Sequence, residues 1–158
     1  MLEDVEERRE YLKKVNSTNK PPVYKRKVNE NGEAYAIGSR KRSKAKVWLR
    51  PGTGDIVVNG RSWVDYFRRL DQRDKILKPF GLLRLTGSMD VTCEVKGGGT
   101  TGQAEAFRHA LARALQNWNP EYRPTMKENG FLTRDSREVE PKKYGRKKAR
   151  KSFQWVKR

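Results

Sequence analysis

Hydrophobic and polar positions along the chain switch between two-residue and 3.6-residue spacing, and each switch marks an element. Residues 35–50, YAIGSRKRSKAKVWLR, read as one long strand, with Ala45, Val47 and Leu49 on one face and Lys44, Lys46 and Trp48 on the other. Residues 51–54, PGTG, make a turn, and residues 55–59, DIVVN, a short apolar strand that completes a hairpin with the first. Asn59-Gly60 turns the chain again. Ser62 then caps a short helix carrying Trp63, Tyr66 and Phe67, with Asp65 as its capping-box partner. A second short helix covers residues 71–83, interrupted at Pro79 and Gly81.

Residues 89–96 alternate again: Val91, Cys93 and Val95 point one way, Thr92, Glu94 and Lys96 the other, as in a half-buried strand. A glycine-rich stretch, GGGTTG at 97–102, follows. Residues 103–118 then carry Ala104, Phe107, Leu111, Ala114, Leu115 and Trp118 on one stripe, which predicts a helix. Arg108, His109, Arg113 and Gln116 lie off that stripe. Asn119-Pro120 stops the helix, and residues 125–129 add one more turn closed by Gly130. The order predicts a two-layer α/β (α+β) sandwich with its helices on one sheet face and the other face left for a partner.

Composition narrows what such a sandwich can do. The 158 residues hold 37 Lys+Arg against 19 Asp+Glu, a formal net charge of +18, which points to a polyanionic partner. Hydrophobic residues are 34% of the chain, enough for one modest core. One cysteine excludes an intrachain disulfide framework and multi-cysteine metal sites, and one histidine excludes most histidine-based ones. No metal or cofactor is expected. Cys93, among apolar neighbours, reads as a buried small hydrophobe. His109, among arginines, is expected to touch nucleic acid or solvent. No run is long enough to span a membrane.

The charge is uneven, and this divides the chain. Residues 1–34 are nearly neutral and form an N-terminal extension. Their first fifteen residues suggest a short amphipathic helix, broken by NSTNKPP. They are too acidic for an organellar transit peptide and lack a signal-peptide core, so either no such signal was present or this is the mature chain. Residues 35–132 form the globular domain, and residues 133–158 a basic tail. From Pro141 to Arg158 there are nine Lys/Arg and no acid, a composition that predicts disorder until a polyanion is met.

Three features carry candidate chemistry. Arg40, Lys41, Arg42, Lys44 and Lys46 place five cations within seven residues, with nothing acidic between them. Their phosphate-binding reading stands beside that of a solvated face. The glycines at 97–102 join a strand to a helix, where backbone N–H groups can meet a phosphate. No Gly-Lys-Ser/Thr follows, so this is not a P-loop, and a bare sharp turn explains the glycines equally well. The tail, PKKYGRKKARKSFQWVKR, interleaves its cations with Tyr144, Phe153 and Trp155. Cations neutralise phosphates and aromatics stack on bases, and eighteen extended residues span roughly 60 Å at about 3.3 Å each. A nuclear-localisation cluster or membrane-surface patch would need no aromatics so near its end.

Three segments, AYAIGSRKRSKAKVWLRPGTGDIVVNGRS, EVKGGGTTGQAEAFRHALARAL and GFLTRDSREVEPKKYGRKKARKSFQWVKR, occur in that order over residues 35–158. Together they resemble ribosomal small-subunit protein nine of the bacterial and organellar type. The closing KARKSFQWVKR is most similar to the mitochondrial branch, with chloroplast or bacterial cytoplasm as the alternatives. The resemblance implies the fold of the second domain of ribosomal small-subunit protein five, an α/β sandwich with a left-handed β-α-β crossover. It implies a non-enzymatic protein that binds the head, the three-prime domain, of small-subunit ribosomal RNA beside other ribosomal proteins.

By that resemblance Arg40, Lys41, Arg42, Lys44, Lys46, Lys96, Gly97, Gly98, Gly99, Thr101, Gln103 and Arg108 bind ribosomal RNA. So do Arg134, Arg137, Lys142, Lys143, Tyr144, Arg146, Lys147, Lys148, Arg150 and Lys151 in the tail. Lys157 and Arg158 are implied to reach the transfer RNA in the peptidyl site. Pro141 departs from the pattern, standing where members usually carry a basic residue. A small phosphotransferase is the competing class, since some kinases share the fold, but no magnesium-binding acidic cluster accompanies the glycines. A free-standing nucleic-acid binder is a third.

Overall fold

A computed structural model describes residues 23–157. The helix expected over residues 1–15, and Arg158, lie outside the described residues. Five strands form one sheet in the order β1-β2-β5-β3-β4. In chain order these are β1 (Ala34–Arg40), β2 (Ser43–Pro51), β3 (Ile56–Val58), β4 (Arg61–Ser62) and β5 (Met89–Lys96). The helices are α1 (Trp63–Tyr66), α2 (Leu70–Leu83), α3 (Thr100–Trp118) and α4 (Arg123–Glu128), with a 3-10 turn at Pro120–Tyr122.

The long strand expected over residues 35–50 is two strands. β1 and β2 pair antiparallel from Ala34↔Leu49 to Arg40↔Ser43, so the chain reverses at Lys41-Arg42. Lys41 takes a positive φ of 52° there. A cationic pair with neither glycine nor asparagine gives no turn signal, which is why periodicity alone ran through it.

The expected hairpin between β2 and the DIVVN strand does not form either. β5 lies between them, antiparallel to β2 and parallel to β3. Asp90 explains part of the departure. Its Oδ1 accepts the backbone N–H groups of Thr53, Gly54 and Asp55 at 2.8, 3.0 and 3.1 Å, holding the loop after β2 against β5. Asn59-Gly60 does turn the chain, both residues at positive φ, into β4. The Asn59 side chain continues the ladder: Oδ1 accepts the Val95 N–H at 2.9 Å and Nδ2 donates to the Val95 carbonyl at 3.0 Å.

Two helix expectations change. Ser62 precedes α1, but its side chain makes no capping hydrogen bond, and Phe67 lies beyond the helix end. α2 runs unbroken through Pro79 and Gly81. Pro79 costs one helical hydrogen bond but is buried against the core, so packing offsets the loss.

Inward residues of the sheet, among them Val47, Leu49, Val58, Val91 and Cys93, are buried beneath the helical layer, in which α3 lies on the strands and α2 packs against α3. Phe67, Ile76, Phe107, Leu111 and Leu115 fill the space between the layers. Burial raises the Cys93 thiol pKa, with Glu94 adding to the effect, so it stays protonated as a packing group. α3 is buried beyond its predicted stripe, through Ala106, Ala110 and Ala112. These small side chains let it approach β1 closely, and a Cβ at Gly38 would stand 2.8 Å from Ala110 Cα and nearer still to its N.

The helices cover one sheet face. The other carries Tyr35, Ile37, Lys44, Lys46, Trp48, Val57, Thr92, Glu94 and Lys96, all exposed or half-buried. Residues 23–33, assigned to the extension, lie along the end of α3. Lys27 N–H donates to the Asn117 carbonyl at 2.8 Å, and Arg26 sits 4.4 Å over the Trp118 ring. Among the described residues no helix is long and apolar enough to cross a membrane.

Candidate nucleic-acid interface

The β1–β2 turn and the glycine-rich turn, separate in sequence, meet in space. Ser43 begins β2, and its hydroxyl donates to the Gly97 carbonyl at 3.0 Å. Gly97 and Gly98 have φ of 75° and 63°, which favours residues without a Cβ. A Cβ at Gly97 would also stand 2.7 Å from the Arg42 carbonyl oxygen, and one at Gly98 would collide with Ser43 Oγ. The glycines are therefore required by turn geometry and close packing.

The same packing opens a cleft of about 380 Å³, lined by Lys41, Arg42, Ser43, Gly98 to Gly102, Glu138 and Val139. It lies at the N-terminus of α3. Gly99 precedes that helix, no side chain caps it, and its first turn holds no acid. Its N–H groups and partial positive charge therefore face the cleft without a carboxylate of their own helix to neutralise them. Gln103 and Thr101, assigned above to RNA, brace the turn from behind. Gln103 Nε2 donates to the Gly97 carbonyl at 3.1 Å while its Oε1 accepts the Tyr66 hydroxyl at 3.0 Å. Gln72, which the residue pattern did not single out, is buried and donates to the hydroxyls of Thr100 and Thr101.

The five cations of the 40–46 run divide into three groups. Arg40 turns inward. Its Nε lies 2.8 Å from Glu105 Oε2, its Nη2 3.0 Å from Asp135 Oδ2, and its Nη1 donates to the Arg137 carbonyl at 3.1 Å. Burial raises the Glu105 pKa, but hydrogen bonds from Lys75 and Arg40 outweigh it and hold the carboxyl below its ordinary value. Arg40 therefore anchors the tail rather than meeting solvent. Lys41 and Arg42 occupy the exposed tip, where Arg42 Nε is 2.7 Å from Glu138 Oε1. Lys44 and Lys46 stand on the uncovered sheet face, and Lys96 is the direct cross-strand partner of Lys44.

Arg108 lies half-buried, 5.4 Å from the Phe131 ring, and its Nε has no acceptor among the described residues. His109 is buried, contrary to the expectation that it meets nucleic acid or solvent. Its Nδ1 accepts the Ser39 N–H at 3.3 Å. α3 packs against β1 along a wider face than the apolar stripe indicated, and that carries His109 inward. Burial, then the Arg113 charge, pushes its pKa below the ordinary histidine value.

The tail forms no helix or strand over residues 133–157. Its root is tied down: Arg134 Nε donates to Ser39 Oγ at 3.0 Å, and Arg137 chelates Asp135. Hydrogen bonds from Arg137 hold the Asp135 carboxyl well below the usual carboxylate range, with Arg40 adding its charge. Beyond it, Lys142, Lys143, Tyr144, Arg146, Lys147, Lys148, Arg150 and Lys151 are all exposed. They are not fully extended. The N–H groups of Lys147 and Lys148 both donate to the Lys151 carbonyl, and Arg150 pairs with Glu140, closing a compact turn-rich loop. Phe153, Trp155 and Lys157 follow, also exposed.

A one-sided sandwich, a cleft walled by Lys41 and Arg42 at an open helix terminus and an exposed basic tail define a small α/β protein with its positive charge gathered on one cleft, one sheet face and one tail. A family model described as ribosomal protein S9/S16 matches residues 38–158. The chain is 53% identical over 133 residues to small ribosomal subunit protein uS9m of Arabidopsis thaliana. The match covers 84% of this chain and 31% of that relative, so the chain spans about a third of its length. The chain belongs to the ribosomal protein S9/S16 family.

Proposed function

We propose that this chain is a structural, non-enzymatic constituent of the small subunit of the mitochondrial ribosome. Its globule docks on the head domain of the small-subunit RNA, beside neighbouring ribosomal proteins. Lys41, Arg42 and the cleft at the start of α3 take phosphates, as do Lys44, Lys46 and Lys96. On this reading the connection from β3 to β5 is the family's left-handed crossover. The tail threads the folded RNA until Lys157 and Arg158 meet the anticodon stem-loop of the transfer RNA in the peptidyl site.

The observation that carries this reading is the tail. It is acid-free from Pro141 onward, exposed along its length, and fastened by ion pairs at its root. Its cations displace counterions from RNA, while Tyr144, Phe153 and Trp155, 100%, 66% and 81% exposed, are free to stack or wedge. Binding to head-domain RNA therefore falls steeply with salt, with a slope near −0.9 in log affinity against log salt per duplex phosphate neutralised. Removing residues 141–158 makes that slope shallower. Affinity that does not change between low and physiological salt overturns the proposal.

A further inference from the structure

The uncovered sheet face is ordered in rows by the strand register. Ser39, Lys44 and Lys96 form one row, Ile37, Lys46 and Glu94 the next, and Tyr35, Trp48, Thr92 and Val57 a third. Lys44 and Lys96 are directly opposed. Like charges facing across two strands repel, and among the described residues neither has a carboxylate within ion-pair distance. An external anion removes that repulsion. In the third row the rings of Tyr35 and Trp48 stand 5.3 Å apart, tilted by 42°, on the solvent side of the sheet. Ile37 and Val57 beside them are 44% and 37% exposed. None of these four contributes to the core beneath the sheet.

We infer that this face is a base-stacking platform for single-stranded RNA, with Trp48 and Tyr35 receiving unpaired bases and Lys44, Lys46 and Lys96 holding the flanking phosphates. The inference rests on the RNA-binding reading above and adds to it the kind of RNA: a loop or bulge with its bases turned out, not a duplex. Two residues along a strand separate the Lys46 row from the Trp48 row by about 7 Å, so one nucleotide can touch both rows. Charge complementarity favours RNA here, since Glu94 is the single acid in the three rows. The Lys44–Lys96 pair also stands at the end of the sheet where the cleft lies. Lys96 leads directly into Gly97, whose carbonyl accepts the Ser43 hydroxyl, and Lys44 follows Ser43, which lines the cleft. A phosphate at the start of α3 and one at the Lys44–Lys96 pair would therefore lie at the same end of the sheet. Aromatic surfaces bind bases without regard to sequence, whereas a duplex keeps its bases stacked inside.

The test uses the full chain with Trp63, Trp118 and Trp155 replaced by Phe, so that fluorescence reports Trp48 alone. The probes are single-stranded oligouridine and an RNA duplex of equal charge, with binding followed independently by anisotropy of the labelled RNA. The expected result is quenching of Trp48 by the single strand and not by the duplex. In the otherwise unaltered chain, Trp48→Ala lowers single-strand affinity about tenfold with the salt slope unchanged, and Trp48→Phe restores most of it. Lys96→Ala, by contrast, makes the slope shallower by about one phosphate. Thr92→Asp, on the exposed face opposite Trp48, weakens the single strand without touching the core. If RNA binds by anisotropy while Trp48 emission and the Trp48→Ala and Thr92→Asp affinities stay unchanged, the platform is refuted. The RNA-binding reading then survives, and the face is left for a protein neighbour. If neither RNA binds, both fall together.

Discussion

Arg40 at the end of β1 holds Asp135 at the root of the tail, with 3.0 Å between Nη2 and Oδ2. The same guanidinium reaches Glu105 on α3 and the Arg137 carbonyl, so one side chain joins the sheet, the long helix and the tail. Arginine's rigid fork of donors suits this three-way contact, which a lysine cannot reproduce.

Arg40→Ala should therefore cost about 2 kcal/mol in urea unfolding, the scale of lost hydrogen bonds to charged groups. Glu105 keeps Lys75 as a partner at 2.9 Å, which limits the loss. The larger effect is on the tail root: limited proteolysis over residues 134–140 should quicken several-fold, with Arg40→Lys in between. Unchanged cleavage would mean that Arg134 and Ser39 anchor the tail without help.

Gly38 is the point where β1 and α3 come nearest. An added methyl would press on the backbone of Ala106 and Ala110, which cannot rotate away. Gly38→Ala should destabilise the globule by about 3 kcal/mol, the upper end of overpacking costs. Gly60→Ala is the useful contrast. It meets nothing within 4 Å but sits at a φ of 75°, so its cost is backbone strain alone, on the order of 1 kcal/mol. Chemical denaturation of the two variants ranks packing against strain.

His109 makes stability depend on pH. Its folded pKa lies below the ordinary value of 6.5, because burial and the Arg113 charge disfavour the imidazolium. Between the two values the unfolded chain takes up a proton that the folded chain refuses. The contribution is whole above about pH 6.5 and is lost as pH falls through the folded value. Glu105 and Asp135, whose pKa values are also lowered, act in the same direction at lower pH. Urea midpoints should therefore decline on going from about pH 7 to pH 5. His109→Asn, which keeps an acceptor for the Ser39 N–H, should flatten that decline. An equal decline in the variant would place the titrating group elsewhere.

How much was legible in the sequence follows from what each signal encodes. Residues 89–96 alternate cleanly because β5 is paired on both sides and covered on one face, so β5 was recovered in full. The open second face was legible for the same reason, in Lys44, Lys46 and Lys96. Strand pairing was not, because it depends on long-range partners. Nothing local says that β5 enters between β2 and β3, or that Lys41-Arg42 is a turn. The glycine turn and the cationic run were each visible, but their junction through Ser43 and Gly97 was not. Arg40 shows the limit most plainly. A charge run in sequence has no direction, and its acidic partners, Glu105 and Asp135, lie 65 and 95 positions away.

The tail's end carries the last expectation. Lys157 is exposed, and among the described residues the ion pairs of the tail all lie at or before Arg150. Deleting Lys157 and Arg158 should therefore leave the globule's unfolding midpoint and its incorporation into subunits unchanged. Two cations facing transfer RNA phosphates are each worth about 1 kcal/mol or less when exposed, so the loss is on the order of a tenfold faster release. The measurement is the off-rate of peptidyl-site transfer RNA from purified subunits carrying the shortened chain. It is made at low and at physiological salt, where screening should narrow the difference. A wild-type off-rate at both salt concentrations would show that the tip does not touch transfer RNA, while the globule's hold on ribosomal RNA would stand.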